Sequence, residues 1–262
     1  MPEFTTYAPG TPAWIDLGTT DLPAAARFYG DIFGWEAEDL GEEAGHYTMM
    51  RVRGKYVAGM GPLMDPAQPV AWSTYLATAD IDETARKVTD AGGTLVSGPF
   101  DVFDAGRMAV FVDPTGAAIL AWQARQHPGV QLANEANTLI WSELYTPDVE
   151  RAKSFYEAAF GITSERAPAM DYTLLKVGDR PIGGMMAIGA GGVPAEVPPH
   201  WNVYFAVDDV DATVARVQEL GGSTMVPPTD IPGVGRFAVV TDPQGASFSV
   251  MRGQGEASPP PS

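Results

Sequence analysis

The sequence predicts an α+β chain made of two tandem βαβββ modules that pair into curved mixed sheets with their helices outside. Three observations predict this. The stretch TTDLPAAARFYGDIFGW (19–35) returns 127 residues later as TPDVERAKSFYEAAFGI. An alternating strand pattern precedes each copy, AWIDLGT in one and IWSELYT in the other. Each half also closes with an Asp-Pro-x-Gly turn and a last apolar strand, AILAW and SFSVM.

The first helix is read from its ends and its face. Asp21 can cap it, and Pro23 sits in the first turn, where a missing N–H costs nothing. Ala25, Phe28, Tyr29, Ile32 and Phe33 recur at helical spacing and form one apolar face. Gly34 suits a left-handed stop. The copy repeats this with Asp148, Ala152, Phe155, Tyr156, Ala159, Phe160 and Gly161.

Downstream, HYTMMRV faces DYTLLKV, and AWSTYLATADID faces HWNVYFAVDDVD, a strand running into a capped second helix. That helix stops at Gly92-Gly93 in one copy and at Gly221-Gly222 in the other. GPFDVFDAGRMAVFVDPTGA faces PPTDIPGVGRFAVVTDPQGA, a strand leading into the Asp-Pro-x-Gly turn. Each copy thus reads strand, helix, strands, then again strand, helix, strands. The offset between copies stays between 125 and 129 residues, so insertions fall in loops. This places a first module at 10–124, a linker at 125–136, a second module at 137–253 and a disordered tail at 254–262.

Composition narrows the function. The 262 residues carry 33 Asp and Glu against 16 Lys and Arg, a formal charge of −17. Such a chain repels phosphate backbones and anionic membranes, so nucleic acid and membrane are not expected partners. Its field would gather cations, although an acidic surface also serves solubility alone. No apolar run approaches the roughly 18 residues of a membrane span, and the N-terminus lacks the pattern of a secretory signal. There is no cysteine, which removes disulfides, thiolate metal sites and a Cys nucleophile. A cytoplasmic protein is the expectation.

The repeat, the helix pattern DxxxAxxFY followed by Phe-Gly, and the ending DPxGA together resemble the glyoxalase/bleomycin-resistance/extradiol-dioxygenase superfamily, the vicinal oxygen chelate fold, over residues 10 to 253. The chain is most similar to its tandem glyoxalase-like members, some labelled hydroxylase on similarity alone. The resemblance implies modules paired edge to edge, each sheet curling around a cleft. It also implies that the second copy partners the first, as a monomer with internally paired modules or as a homodimer.

Metal-dependent members hold His or Glu at three places. The resemblance puts these at Trp14, Ser73 and Leu120 in one copy and at Trp141, Asn202 and Ser249 in the other. Indole, hydroxyl, amide and alkyl groups are poor ligands for a catalytic divalent ion. No metal and no cofactor are therefore expected. The three histidines, His46, His127 and His200, read as surface or boundary residues.

Side chains alternate along a strand, so Asp16 shares the face of Trp14, Glu143 and Tyr145 that of Trp141, Tyr75 that of Ser73, and Tyr204 that of Asn202. The inferred clefts are aromatic and rich in carboxylate. The tryptophans read equally well as core. An acid repeated at one strand position needs a partner if it is buried, and Arg107 and Arg236 are the candidates. The glycine- and methionine-rich strands YVAGMGPLM and PIGGMMAIG allow close approach of a ligand or backbone, or fill the core.

Two functions follow. One is metal-free binding of a cationic or aromatic small molecule, a resistance-like sequestration, with Trp14, Trp141, Tyr75, Tyr204, Ser73, Asn202, Arg107 and Arg236 as ligand contacts. The other is a metal-independent lyase, isomerase or hydroxylase-like enzyme on an aromatic or keto metabolite, with Asp16 or Glu143 as acid or base. A scaffold with vestigial clefts is the blander reading.

Overall fold

The structure is a computed structural model that describes residues 3–63, 65–167, 171–190 and 193–254. Residues 255–262 of the expected disordered tail lie outside the described residues. The first copy runs β1 (Pro12–Thr19), α1 (Leu22–Phe33), β2 (Glu36–Asp39), β3 (Thr48–Val52), β4 (Lys55–Pro62), β5 (Ala71–Ala77), α2 (Ile81–Asp90), β6 (Thr94–Val102), β7 (Gly106–Val112) and β8 (Ala118–Ala124). The second repeats it with β9 (Leu139–Thr146), α3 (Val149–Phe160), β10 (Thr163–Arg166), β11 (Thr173–Val177), β12 (Arg180–Ala187), β13 (His200–Ala206), α4 (Val210–Glu219), β14 (Ser223–Ile231), β15 (Gly235–Thr241) and β16 (Ser247–Gly253).

Each copy makes one eight-stranded mixed sheet, ordered β2-β3-β4-β1-β5-β8-β7-β6 and β10-β11-β12-β9-β13-β16-β15-β14. Two βαβββ units meet at its centre, where β1 pairs antiparallel with β5, and β9 with β13. This corrects the expectation that the second copy lends its sheet edge to the first. Each copy already holds two βαβββ units and completes its own sheet.

The helix signals act as read. Asp21 accepts from the Ala24 N–H at 3.0 Å, and Asp148 from that of Arg151 at 3.0 Å. Gly34 and Gly161 end their helices at φ 68° and 69°, where a Cβ would be strained. Ala25, Phe28, Tyr29 and Phe33 are buried, with Ile32 packed at the edge.

The two copies join through these helices. One core gathers Phe28, Tyr29, Phe33 and Trp72 with Phe205, Val214, Val240 and Phe248 of the second copy. The other exchanges the roles, with Leu76, Val88 and Phe111 meeting Phe155, Tyr156 and Trp201. The helices lie outside the cleft of each sheet, and in the whole chain they fill the layer between the sheets. Each fully buried Phe there contributes about 1.5–3 kcal/mol.

Repeat residues stitch this layer crosswise. Tyr29 Oη donates to Asp242 Oδ2 at 3.2 Å, and Tyr156 Oη donates to Asp113 Oδ2 at 2.9 Å. Each carboxylate belongs to an Asp-Pro-x-Gly turn and also accepts turn N–H groups, such as those of Thr115 and Gln244. The tyrosine of one copy's first helix therefore docks on the last turn of the other. Among the described residues no helix is long and apolar enough to cross a membrane.

Candidate functional site in the sheet clefts

Strand alternation sorts the sheet residues into two sets. On β1, Ile15 and Leu17 enter the helix-side core, and Trp14 enters a separate cluster on the other face. Asp16 shares the face of Trp14. Register sets Asp16 opposite Ser73 and Trp14 opposite Tyr75. It sets Glu143 opposite Asn202 and Trp141 opposite Tyr204 in the second copy. The acids and aromatics expected on one face are there together.

In the first cleft Tyr75 Oη donates to Asp16 Oδ2 at 2.6 Å, and Tyr47 Oη donates to the same oxygen at 3.1 Å. Trp14 Nε1 donates to Tyr47 Oη at 3.0 Å, so the indole holds the tyrosine that holds the acid. In the second cleft Tyr204 Oη donates to Glu143 Oε2 at 2.5 Å, and Trp141 Nε1 donates to Tyr172 Oη at 2.8 Å. The sites are one design used twice.

Tyr47 and Tyr172 were not singled out from the sequence. The signal was present, since both stand at the same place in the aligned HYTMMRV and DYTLLKV. Their reach depends on glycine: a Cβ at Gly59 or Gly184 would overlap the hydroxyl of Tyr47 or Tyr172. The glycine-rich strands thus admit a tyrosine from the next strand.

Burial pushes the Asp16 carboxyl up to about 6, against the opposing hydrogen bonds of Tyr75, Tyr47 and Ser73. Burial, then the nearby Asp16 charge, drives the Tyr47 and Tyr75 hydroxyls well above the usual phenol range, so they remain donors. The two acids differ in access. Asp16 keeps part of its surface open, whereas Glu143 is 3% exposed. Over Glu143 folds Tyr145, whose hydroxyl stands 3.2 Å from that of Tyr204 and whose ring lies 5.0 Å from His200. Asn202 Nδ2 donates to Ser249 Oγ at 2.7 Å.

Two expectations are corrected and one is narrowed. Arg107 and Arg236 do not pair with the acids. Met108 and Val110 take the cleft face of β7, so Arg107 falls on the other face and binds Asp82 at 2.5 Å. Arg236 likewise binds Asp211 at 2.6 Å and Asp230 at 3.1 Å. His127 proves to be a boundary residue, half-buried and turned inward. The linker returns across the first sheet, where Trp122 Nε1 donates to the His127 carbonyl and the imidazole stands edge-on to Trp14 at 4.4 Å. Burial lowers that imidazole to about 4. Trp14 itself is 4% exposed, so its ring offers no open face to a cation. His46 does lie outside the cleft, bonded to Asp39, and His200 borders the second cleft.

The donor sets do not fit the family's metal. The three positions that the resemblance assigns hold Trp14, Ser73 and Leu120, or Trp141, Asn202 and Ser249. The carboxylates of Asp16 and Glu143 are already engaged by tyrosine hydroxyls. Among the described residues no three His, Cys, Asp or Glu side chains gather to hold an ion.

Comparison with known proteins agrees with this architecture. The family model described as the Glyoxalase/Bleomycin resistance protein/Dioxygenase superfamily matches residues 11–120 and 138–250. A protein of Mycobacterium tuberculosis named putative glyoxylase CFP32 is 46% identical over 96% of this chain and 98% of its own. The anthracycline biosynthesis protein DnrV of Streptomyces peucetius is 40% identical over 94% of each chain. The Mn(II)-bound glyoxalase of Novosphingobium aromaticivorans shares the fold, with a TM-score of 0.65 and 17% identity over 93% of this chain and 82% of that one. The chain belongs to the Glyoxalase/Bleomycin resistance protein/Dioxygenase superfamily.

Proposed function

We propose that this member of the superfamily binds an aromatic small molecule in its first cleft without the family's metal, and that Asp16 is the group that meets the ligand. The observation that carries this is Asp16: its carboxyl is held by Tyr75 at 2.6 Å and Tyr47 at 3.1 Å, yet the residue keeps part of its surface open. Both bonds fall on Oδ2, which leaves Oδ1 free of them. Trp14 and Trp122 lie buried beneath the linker, and Ser73 and Leu63 stand nearer the open side. A relative named for anthracycline biosynthesis, 40% identical, supports a polycyclic aromatic ligand. A cationic ligand keeps the support of Asp16 and the acidic surface but loses that of Trp14.

A thermal-shift panel of neutral and cationic aromatic compounds tests this on the wild type and on Asp16→Asn. A ligand at 100 times its dissociation constant adds about 2.7 kcal/mol. The reading expects such a shift in the wild type and a smaller one in the variant. No shift with any compound contradicts it.

One observation favours a second reading, metal-independent acid–base catalysis. A carboxyl raised to about 6 exchanges its proton near neutral pH. Turnover of a bound compound that disappears in Asp16→Asn while binding persists supports catalysis, and turnover retained in that variant contradicts it.

A further inference from the structure

The second cleft contains a phenol of its own. Tyr145 and Gly18 occupy equivalent places, each two residues beyond the acid on the central strand and on the same face. Register pairs Gly18 with Ala71 in the first copy, and Tyr145 with His200 in the second. The Tyr145 hydroxyl stands 3.2 Å from that of Tyr204, beside the Glu143 carboxylate and the Asn202 amide.

Each polar partner of that hydroxyl has a counterpart in the first cleft. Tyr75 stands for Tyr204, Asp16 for Glu143, and Ser73 for Asn202. Only the phenol is missing, because Gly18 supplies no side chain. The tip of Leu63 approaches within 3.1 Å of where a Gly18 Cβ would stand, and it is the free end of a flexible side chain. Next to this gap Asp16 remains partly open, whereas Glu143, beneath Tyr145, is 3% exposed.

We propose that the first cleft takes its ligand by a phenolic ring, whose hydroxyl stands where Tyr145 places its own in the second, and that Tyr145 makes the second cleft self-occupied. This rests on the reading of the first cleft as the ligand site. A phenol suits the partners on chemical grounds. It donates to Asp16 Oδ1 or the Tyr75 oxygen and can accept from Ser73, and its ring lies against Leu63. An aromatic without the hydroxyl forgoes that hydrogen bond to the Asp16 carboxylate and binds about tenfold or more weakly.

The test uses 4-methylphenol, which is the tyrosine side chain, against toluene and benzyltrimethylammonium. Binding is followed by ligand-observed NMR and thermal shift on the full chain. The wild type is expected to bind one 4-methylphenol and toluene at least about tenfold more weakly. Gly18→Tyr is expected to bind none. Tyr145→Gly is expected to bind two and to regain melting temperature when 4-methylphenol is added. That recovery keeps the test decisive if Gly18→Tyr fails to fold. Equal binding of toluene, or preference for benzyltrimethylammonium, with either lost in Gly18→Tyr, overturns the phenolic class while leaving the first cleft as the site. A wild type that binds none of the probes, with a Tyr145→Gly variant that does bind 4-methylphenol, overturns the reading of the first cleft itself.

Discussion

Tyr75 donates to Asp16 at 2.6 Å, and the same bond recurs at 2.5 Å between Tyr204 and Glu143 in the second copy. Duplication alone preserves a residue type. In both copies the acid is also supplied with tyrosine donors, which offset the cost of taking its carboxylate out of water. The raised Asp16 carboxyl marks a cost in stability, and the consequences can be measured.

The first is a pH dependence. The folded chain holds the Asp16 proton up to about pH 6, while the unfolded chain releases it near 3.8. Between those values the folded state binds more protons, so stability falls as pH rises and stays lower above pH 6. His127 acts in the opposite sense, because its folded value is about 4 against 6.5 unfolded, and its contribution is lost as pH falls through that window. Comparing the wild type with Asp16→Asn isolates the acid. Asp16→Asn is expected to be more stable by about 2 kcal/mol at pH 8, with the gap closing towards pH 4. Thermal melts at both pH values check this.

The crosswise tyrosines set the coupling of the two copies. Tyr156 Oη accepts from Trp201 Nε1 at 2.8 Å and donates to Asp113. Tyr156→Phe takes this partner from the buried Trp201 Nε1 and from Asp113 Oδ2, while Asp113 Oδ1 keeps its turn N–H donors, so a loss of about 1–3 kcal/mol is expected in denaturant unfolding.

Gly59 is where backbone permits the site. Gly59→Ala places a Cβ on the Tyr47 hydroxyl and displaces the link between Trp14 and Asp16. Weaker ligand binding and a stability loss of about 1–3 kcal/mol are expected, and a melt with and without the best aromatic ligand separates the two effects.

Arg107 gives the contrasting case. Its pairs with Asp82 and Asp101 are on the surface. Arg107→Ala is expected to change stability by no more than about 1 kcal/mol and to leave ligand binding unchanged.

The legible part of the sequence was local and periodic. Capping Asp21 and Asp148, the apolar faces ending at Phe33 and Phe160, and the alternation that put Asp16 beside Trp14 all follow from chemistry within a few residues. The partners of the acids did not follow. Tyr47 lies two strands away from Asp16 and reaches it only over Gly59, a relation that register decides. Arg107 and Arg236 were suggested by their matching places after glycine, but alternation from Met108 assigns Arg107 to the helix side. His127 looked like a linker residue because the path of the linker over Trp14 and Trp122 depends on the finished sheet.

Ligand binding in the first cleft is the central claim. The measurement that tests it most directly is a binding titration of the best aromatic ligand against the wild type and Gly18→Tyr, with folding of both verified by circular dichroism. One molecule bound per wild-type chain and none by the folded variant is the expected result. Undiminished binding by Gly18→Tyr would place the ligand elsewhere on the molecule and contradict the account.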